Sequence, residues 1–276
     1  MLLKVGSSGE DVKKLQEKLG VAADGSFGPG TETAVKKWQA ANDLDDDGIV
    51  GNGTWSKMFD TLDKVEPTST LDISKLKGKV PDSLFELLPE VFTKYGINSV
   101  LRASHFLGQI SHESGEFTIK TESMNYSTPA RIAEIWPSRF NIDGSGGKKK
   151  AGDFIKNEEK LAEAVYGGRM GNDQVGDGFR FRGGGYLQLT GKEAYKGYAA
   201  YLGKSVGDTA DLLRSETKYS LDAACWEYCI NMKLNGVADR GMSDDVIKVI
   251  TKKINGGYIG LADRISKVTK FYNILK

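Results

Sequence analysis

The sequence predicts a mainly α-helical protein built in two parts. Apolar residues recur at helical spacing in several segments, few segments alternate as strands do, and a stretch around Pro67-Thr68-Ser69-Thr70 breaks the pattern. The division falls as residues 1–62, a linker over 63–78, and a larger part over 79–276. With 34 Gly and only 6 Pro, many tight turns join the helices.

In the first part, Val12, Leu15 and Leu19 place an amphipathic helix over 10–19. A second helix runs over 31–39, through Ala34, Val35 and Trp38, and a third begins near Thr54-Trp55. A glycine turn precedes each. Asp24-Gly25-Ser26-Phe27-Gly28 and Asp47-Gly48-Ile49-Val50-Gly51 share the pattern Asp-Gly-x-apolar-Gly, a small internal repeat of turn, apolar plug and helix entry. Asp43, Asp45 and Asp47-Gly48 imitate the start of a calcium loop, but its twelfth position, which calls for a bidentate Glu, is Thr54. No calcium site is expected.

In the larger part, Pro81-Asp82-Ser83 opens a helix carrying Leu84, Leu87, Leu88, Val91 and Phe92. Val100, Ala103, Leu107 and Ile110 form the next apolar stripe, and Glu113 falls on that stripe before Gly115 stops the helix. A carboxyl there is costly unless it is paired or opens into a cleft, and partial desolvation suits a general acid. These residues alone leave open a structural capping role. Glu122 follows the break, on a loop or short strand able to face Glu113 across a groove. Two such carboxylates are the minimum machinery for splitting a glycosidic bond. Further helices are expected over 220–233 and 244–254.

Other chemistries are thinly supplied. Lys and Arg total 38 against 37 Asp and Glu, so the phosphate backbone of a nucleic acid meets no basic excess. No run approaches the roughly 20 apolar residues of a membrane span, so no membrane insertion is expected. The start Met1-Leu2-Leu3-Lys4 lacks the pattern of a secretory signal. His112-Glu113 opens like a zinc HExxH motif, but position 116 is Glu. The two histidines, His105 and His112, stand two helical turns apart, about 10 Å, too far to share one ion. Cys225 and Cys229 read as buried thiols on one helix face. No metal or cofactor is expected.

Gly183-Gly184-Gly185 lets a ligand approach the backbone closely. Beyond it, Gln188 and Thr190 alternate with Leu187 and Leu189, which predicts polar tips over an apolar backing, as in a cleft wall. A plain glycine turn packed on aromatics is the other reading. Asn255-Gly256-Gly257 reads as a helix stop or as a contact, and Arg264 as a partner of Asp263 or of another carboxylate.

The N-terminal part resembles the three-helix peptidoglycan-binding domain of cell-wall hydrolases. Val5-Gly6-Ser7-Ser8-Gly9, Val12, Leu15-Gln16, the two Asp-Gly turns, Thr31, Ala34-Val35, Trp38-Gln39, Leu44 and Thr54-Trp55 carry that likeness in order. In the larger part, His112-Glu113-Ser114-Gly115, Asn125-Tyr126-Ser127 and Tyr166-Gly167-Gly168-Arg169-Met170-Gly171-Asn172 occur in order. They are followed by Phe181-Arg182-Gly183-Gly184-Gly185-Tyr186-Leu187-Gln188-Leu189-Thr190-Gly191, Asn255-Gly256-Gly257 and Ala262-Asp263-Arg264. This series resembles glycoside hydrolase family 19, in the branch of bacteriophage endolysins and related lysozymes. The likeness implies a lysozyme-like, two-lobed helical catalytic domain with a cleft, attached to a wall-binding unit.

On that resemblance, Glu113 matches the general acid and Glu122 the base that activates water in an inverting reaction. Thr190 matches the hydroxyl that helps hold the water. Tyr126, Gln188 and Asn255 match sugar contacts, and Arg264 matches an arginine near the second carboxylate. Two positions depart from the pattern: Ala194 stands where Asn is common, and Gly184 where many relatives carry Arg. The implied activity is hydrolysis of β-1,4 bonds between N-acetylmuramic acid and N-acetylglucosamine in bacterial peptidoglycan, with lysis of the host cell as its outcome. A chitinase of the same fold is the alternative. A non-catalytic wall-binding protein and a wall amidase or peptidase are more distant ones. The partner implied is bacterial peptidoglycan, met by a monomer. The protein is expected to accumulate in the host cytoplasm until a holin pore releases it.

Overall fold

The computed structural model describes residues 2–42, 44, 46–59 and 71–276. Helices dominate. In the N-terminal part lie α1 (Glu10–Leu19), α2 (Pro29–Ala41) and α3 (Asn52–Phe59). Then come α4 (Asp82–Phe85), α5 (Leu88–Tyr95), α6 (Val100–Glu113), α7 (Pro129–Ile135), α8 (Glu158–Tyr166) and α9 (Asp177–Arg180). The chain ends with α10 (Lys192–Leu202), α11 (Val206–Ser215), α12 (Thr217–Cys225), α13 (Asn235–Ala238), α14 (Asp244–Asn255) and α15 (Leu261–Leu275). Among the described residues the sheet content is one short parallel pair, β1 (Phe140–Asn141) with β2 (Lys149–Lys150). No helix among the described residues is long and apolar enough to cross a membrane.

The chain divides into two compact units: Met1–Lys79 with Phe92–His112 and Tyr228–Lys276, and Val80–Val91 with Glu113–Glu227. In the first unit, α1 to α3 enclose Val12, Leu15, Phe27, Val35, Val50 and Met58, with Trp38 and Trp55 packed against them. The internal repeat extends beyond the Asp-Gly turns. The amide nitrogen of Gln16 lies 2.8 Å from Asp24 Oδ1, 3.0 Å from Ser26 O and 3.0 Å from Thr31 Oγ1, while its oxygen accepts the Gly25 N–H at 2.8 Å. Gln39 repeats this with Asp47, Ile49 O, Thr54 and the Gly48 N–H. Each buried glutamine thus locks one turn to the helix that follows it. Asp47 supports its turn through Ile49 N, while Asp43 and Asp45 of the calcium-like run lie outside the described residues.

Part of the linker stretch, 63–70, also lies outside the described residues. Residues 71–78 contain a 3₁₀ turn over Ile73–Leu76, capped by Asp72, that buries Leu76 completely. Lys75 ties this turn to the end of α15 by donating to Lys276 O at 2.8 Å. In the same unit, α3 packs on α14, and Phe92, Phe106 and Tyr228 meet edge to face. The helix expected over 220–233 runs as α12 only to Cys225 and then widens into a π-helical turn over Trp226–Asn231. Neither cysteine is in a disulfide; Cys225 is buried as expected, whereas Cys229 is only half-buried. Burial pushes the Cys229 thiol up to about 12, so it stays protonated.

The second unit has its own core of Met124, Ile132, Phe140, Ala151, Phe154, Leu161, Ala162 and Val165, with Tyr126, Trp136, Tyr166 and Phe179 packed against it. The apolar stripe of α8 supplies Leu161, Ala162 and Val165. That stripe fixes the roll of the helix, and Tyr166 at its last position inherits a defined direction.

Candidate active site

Glu113 ends α6 and is half-buried. The chain then turns sharply: Gly115, Glu116 and Phe117 all have left-handed backbone, with φ of 53, 59 and 65°. For Glu116 and Phe117 this is a sparsely populated region, which needs support from outside the turn. Ser114 provides it. Its hydroxyl accepts the Phe117 N–H at 3.0 Å, and its carbonyl accepts those of Thr118 and Ile119 at 3.0 and 2.8 Å. The turn passes into a short extended segment, where Thr121 bridges Gly184 and the Glu122 N–H donates to Gly183 O at 2.8 Å.

Glu122 is held from several sides. Tyr166 donates its phenol to Oε1 at 2.7 Å. The backbone N–H of Gly183 donates to Oε2 at 3.0 Å. The Glu122 carbonyl accepts from Arg182 Nε at 3.1 Å. Burial, and then the Glu122 charge, raise the Tyr166 phenol well above its ordinary value, so it remains a proton donor. Burial, and then the Glu122 charge, also raise the Tyr126 phenol. Its ring meets Trp136 edge to face at 5.5 Å. Arg182 lies over the Phe179 ring at 3.8 Å. Burial, then Arg214 nearby, lower its value, yet a guanidinium stays charged.

The glycine run does what close approach requires. A Cβ on Gly183 would stand 2.6 Å from Gln188 Oε1 and 3.2 Å from Glu122 Oε2, so only glycine lets those two groups close over the backbone. The segment 187–190 corrects the expectation of alternating faces. Gln188 adopts a left-handed backbone, φ 52°, inside a tight turn in which Gly184 and Leu189 exchange hydrogen bonds at 3.0 and 2.8 Å. Apolar and polar residues that alternate over so short a run fit a strand and a turn equally, and the three glycines favour the turn. Gln188 donates to Gly185 O at 2.9 Å, and the Thr190 hydroxyl donates to Gln188 O at 2.8 Å.

The structure therefore gathers Glu122, Tyr126, Gln188 and Thr190 in one unit, with Glu113 at that unit's helix break. Asn255 and Arg264 belong to the other unit. Asn255 ends α14. Its oxygen accepts the Gly257 N–H at 2.8 Å and its amide donates to Ile259 O at 3.1 Å, bonds that shape a helix stop. Arg264 is buried, donating to Gln109 Oε1 at 2.6 Å and Ile259 O at 3.2 Å. Asp263 pairs with His112 Nδ1 at 2.6 Å, beside Glu113 in the chain. Among the described residues, no group of three His, Cys, Asp or Glu side chains is arranged to hold a metal ion.

Two supporting residues, Tyr166 and Arg182, carry no role in the sequence reading. Both stand inside motifs, and the only local signal is the position of Tyr166 at the end of an amphipathic helix before two glycines.

Comparison with known proteins adds the following. Residues 8–58 match the model of a putative peptidoglycan binding domain. The chain is 26% identical over 200 residues to a glycosyl hydrolase family 19 domain-containing protein of Haemophilus influenzae, covering 71% of this chain and 91% of that one. Chitinase C from Streptomyces griseus superposes at a TM-score of 0.42 with 16% identity, over 74% of this chain and 76% of that one. A Burkholderia AP3 phage endolysin gives 0.29 with 17% identity, over 99% and 98%. With TM-scores that low, neither superposition adds to the fold described above. The chain is modular, with a peptidoglycan-binding domain ahead of a glycoside hydrolase related to family 19.

Proposed function

We propose that this glycoside hydrolase is an endolysin that cuts the β-1,4 bonds between N-acetylmuramic acid and N-acetylglucosamine in bacterial peptidoglycan. The observation that carries the reading is Glu122, whose two carboxylate oxygens are each held by a donor, beside the glycine run of a chain that also bears a peptidoglycan-binding domain. Glu113 protonates the leaving oxygen, and Glu122 takes a proton from the attacking water on the opposite face of the sugar. Thr190 helps hold that water. Tyr126 and Gln188 contact sugars, and Asn255 is a further candidate contact. An inverting reaction asks for the two carboxyls to stand roughly 6.5–9.5 Å apart. The wall-binding unit, 1–62, raises the local concentration of substrate without altering the chemistry. The protein waits in the host cytoplasm and reaches the wall through a separate membrane pore.

The test is digestion of purified peptidoglycan, borohydride reduction and mass spectrometry of the new ends. Reduced N-acetylmuramic acid ends support a muramidase. Reduced N-acetylglucosamine ends make it a glucosaminidase, and rapid cleavage of soluble chitin oligomers would favour a chitinase. Free amino groups without new reducing ends would discard the two-carboxylate mechanism.

A further inference from the structure

The motif from Tyr166 to Asn172 has no part in the chemistry above, yet one end of it touches Glu122. The phenol of Tyr166 donates to Glu122 Oε1 across 44 positions of sequence. The rest of the motif is a loop folded back on its own beginning. Asn172 is buried, and its side chain works at both ends: the amide donates to Tyr166 O at 3.0 Å, and the oxygen accepts the Lys192 N–H, at the first turn of α10, at 2.8 Å. The backbone closes the same loop, with the Gly168 N–H donating to Asn172 O at 2.8 Å. Behind it, Glu163 accepts the Gly178 N–H at 3.0 Å, and Lys192 bridges Asp173 and Asp177 at 2.6 and 2.9 Å. Tyr166 is thus fixed by its helix, by a buried amide and by a closed loop.

We propose that Tyr166, held by the loop 167–172, is the positioning residue for Glu122. It acts through Glu122 and touches no reacting atom. The phenol and the Gly183 N–H bind one oxygen each and so fix the plane of the carboxylate. A second lone pair on an oxygen is then left to meet the water that Glu122 activates. Burial keeps the phenol protonated, so the donor is present at any working pH. The inference rests on the reading of Glu122 as the water-activating base.

The experiment follows the Glu122 side-chain carboxyl carbon by ¹³C NMR through a pH titration, with the signal assigned by its loss in Glu122→Gln. The full chain is compared with Tyr166→Phe, and pH–rate profiles on peptidoglycan are recorded on the same samples. Losing a donor to the charged form raises the carboxyl titration midpoint, by roughly one pH unit for a bond of this kind. The acidic limb of kcat/KM moves up with it, kcat falls about 10- to 100-fold, and KM changes little. Asn172→Ala leaves the phenol in place and loosens its support, so it shifts the same midpoint in the same direction by less. A midpoint that stays put in both variants overturns the proposal, whatever happens to melting temperature. New reducing ends missing from the unaltered chain would instead overturn the base reading, and the titration still decides whether Tyr166 governs the carboxyl.

Discussion

A methyl group at residue 184 would run into the phenol of Tyr195, which donates to Arg182 O at 3.0 Å. That phenol stands where a side chain at 184 would have to go, and it accounts for the glycine here. Gly184→Ala is expected to cost about 1–3 kcal/mol by overpacking. The cost should shrink when Tyr195→Phe removes the blocking oxygen, so the two changes are non-additive in urea unfolding. Strict additivity would show that the methyl is accommodated elsewhere. At the two carboxyls the expected losses are chemical rather than structural. Glu113→Gln and Glu122→Gln should each lower kcat by at least about 100-fold, with an unchanged circular dichroism spectrum. Substantial activity in either variant removes that residue from the mechanism.

At the level of elements, α6 carries His105 completely buried, with Nε2 2.9 Å from Gly241 O. Burial pushes the imidazole down to about 4. The unfolded ring takes up its proton near pH 6.5, so the stabilisation is complete above that value and is lost as pH falls towards about 4. The loss amounts to about 3 kcal/mol. Urea unfolding at stepped pH should show this slope, and His105→Gln should flatten it; equal slopes in the two proteins would count against the buried neutral ring. Helices of this kind were readable beforehand. The stripes of α1, α6 and α14, and both Asp-Gly turns, follow from spacing alone. The support of Glu122 was not readable, because its donors lie 44 and 61 positions away and no local period encodes them. The π-helical turn after Cys225 escaped for a related reason: an apolar stripe looks the same whether the backbone keeps its pitch or widens. The turn at Gln188 was hidden by an alternation that a strand shares.

For the whole molecule, the segment that matches a peptidoglycan-binding domain is not independent in packing, since its α3 rests on α14. Removing residues 1–62 should therefore have two effects. Co-sedimentation with cell walls weakens by at least about tenfold as the second point of attachment is lost, and the melting temperature drops as α14 is uncovered. Cleavage of soluble wall fragments should persist, and its disappearance would mean that this segment serves the catalytic unit directly. The same segment is also built twice over. Val12 answers to Val35, Gln16 to Gln39, Asp24 to Asp47, Phe27 to Val50 and Thr31 to Thr54, in core and in polar lock alike. Each copy supplies what the other lacks, because a single stretch has a lock but nothing to close its core against.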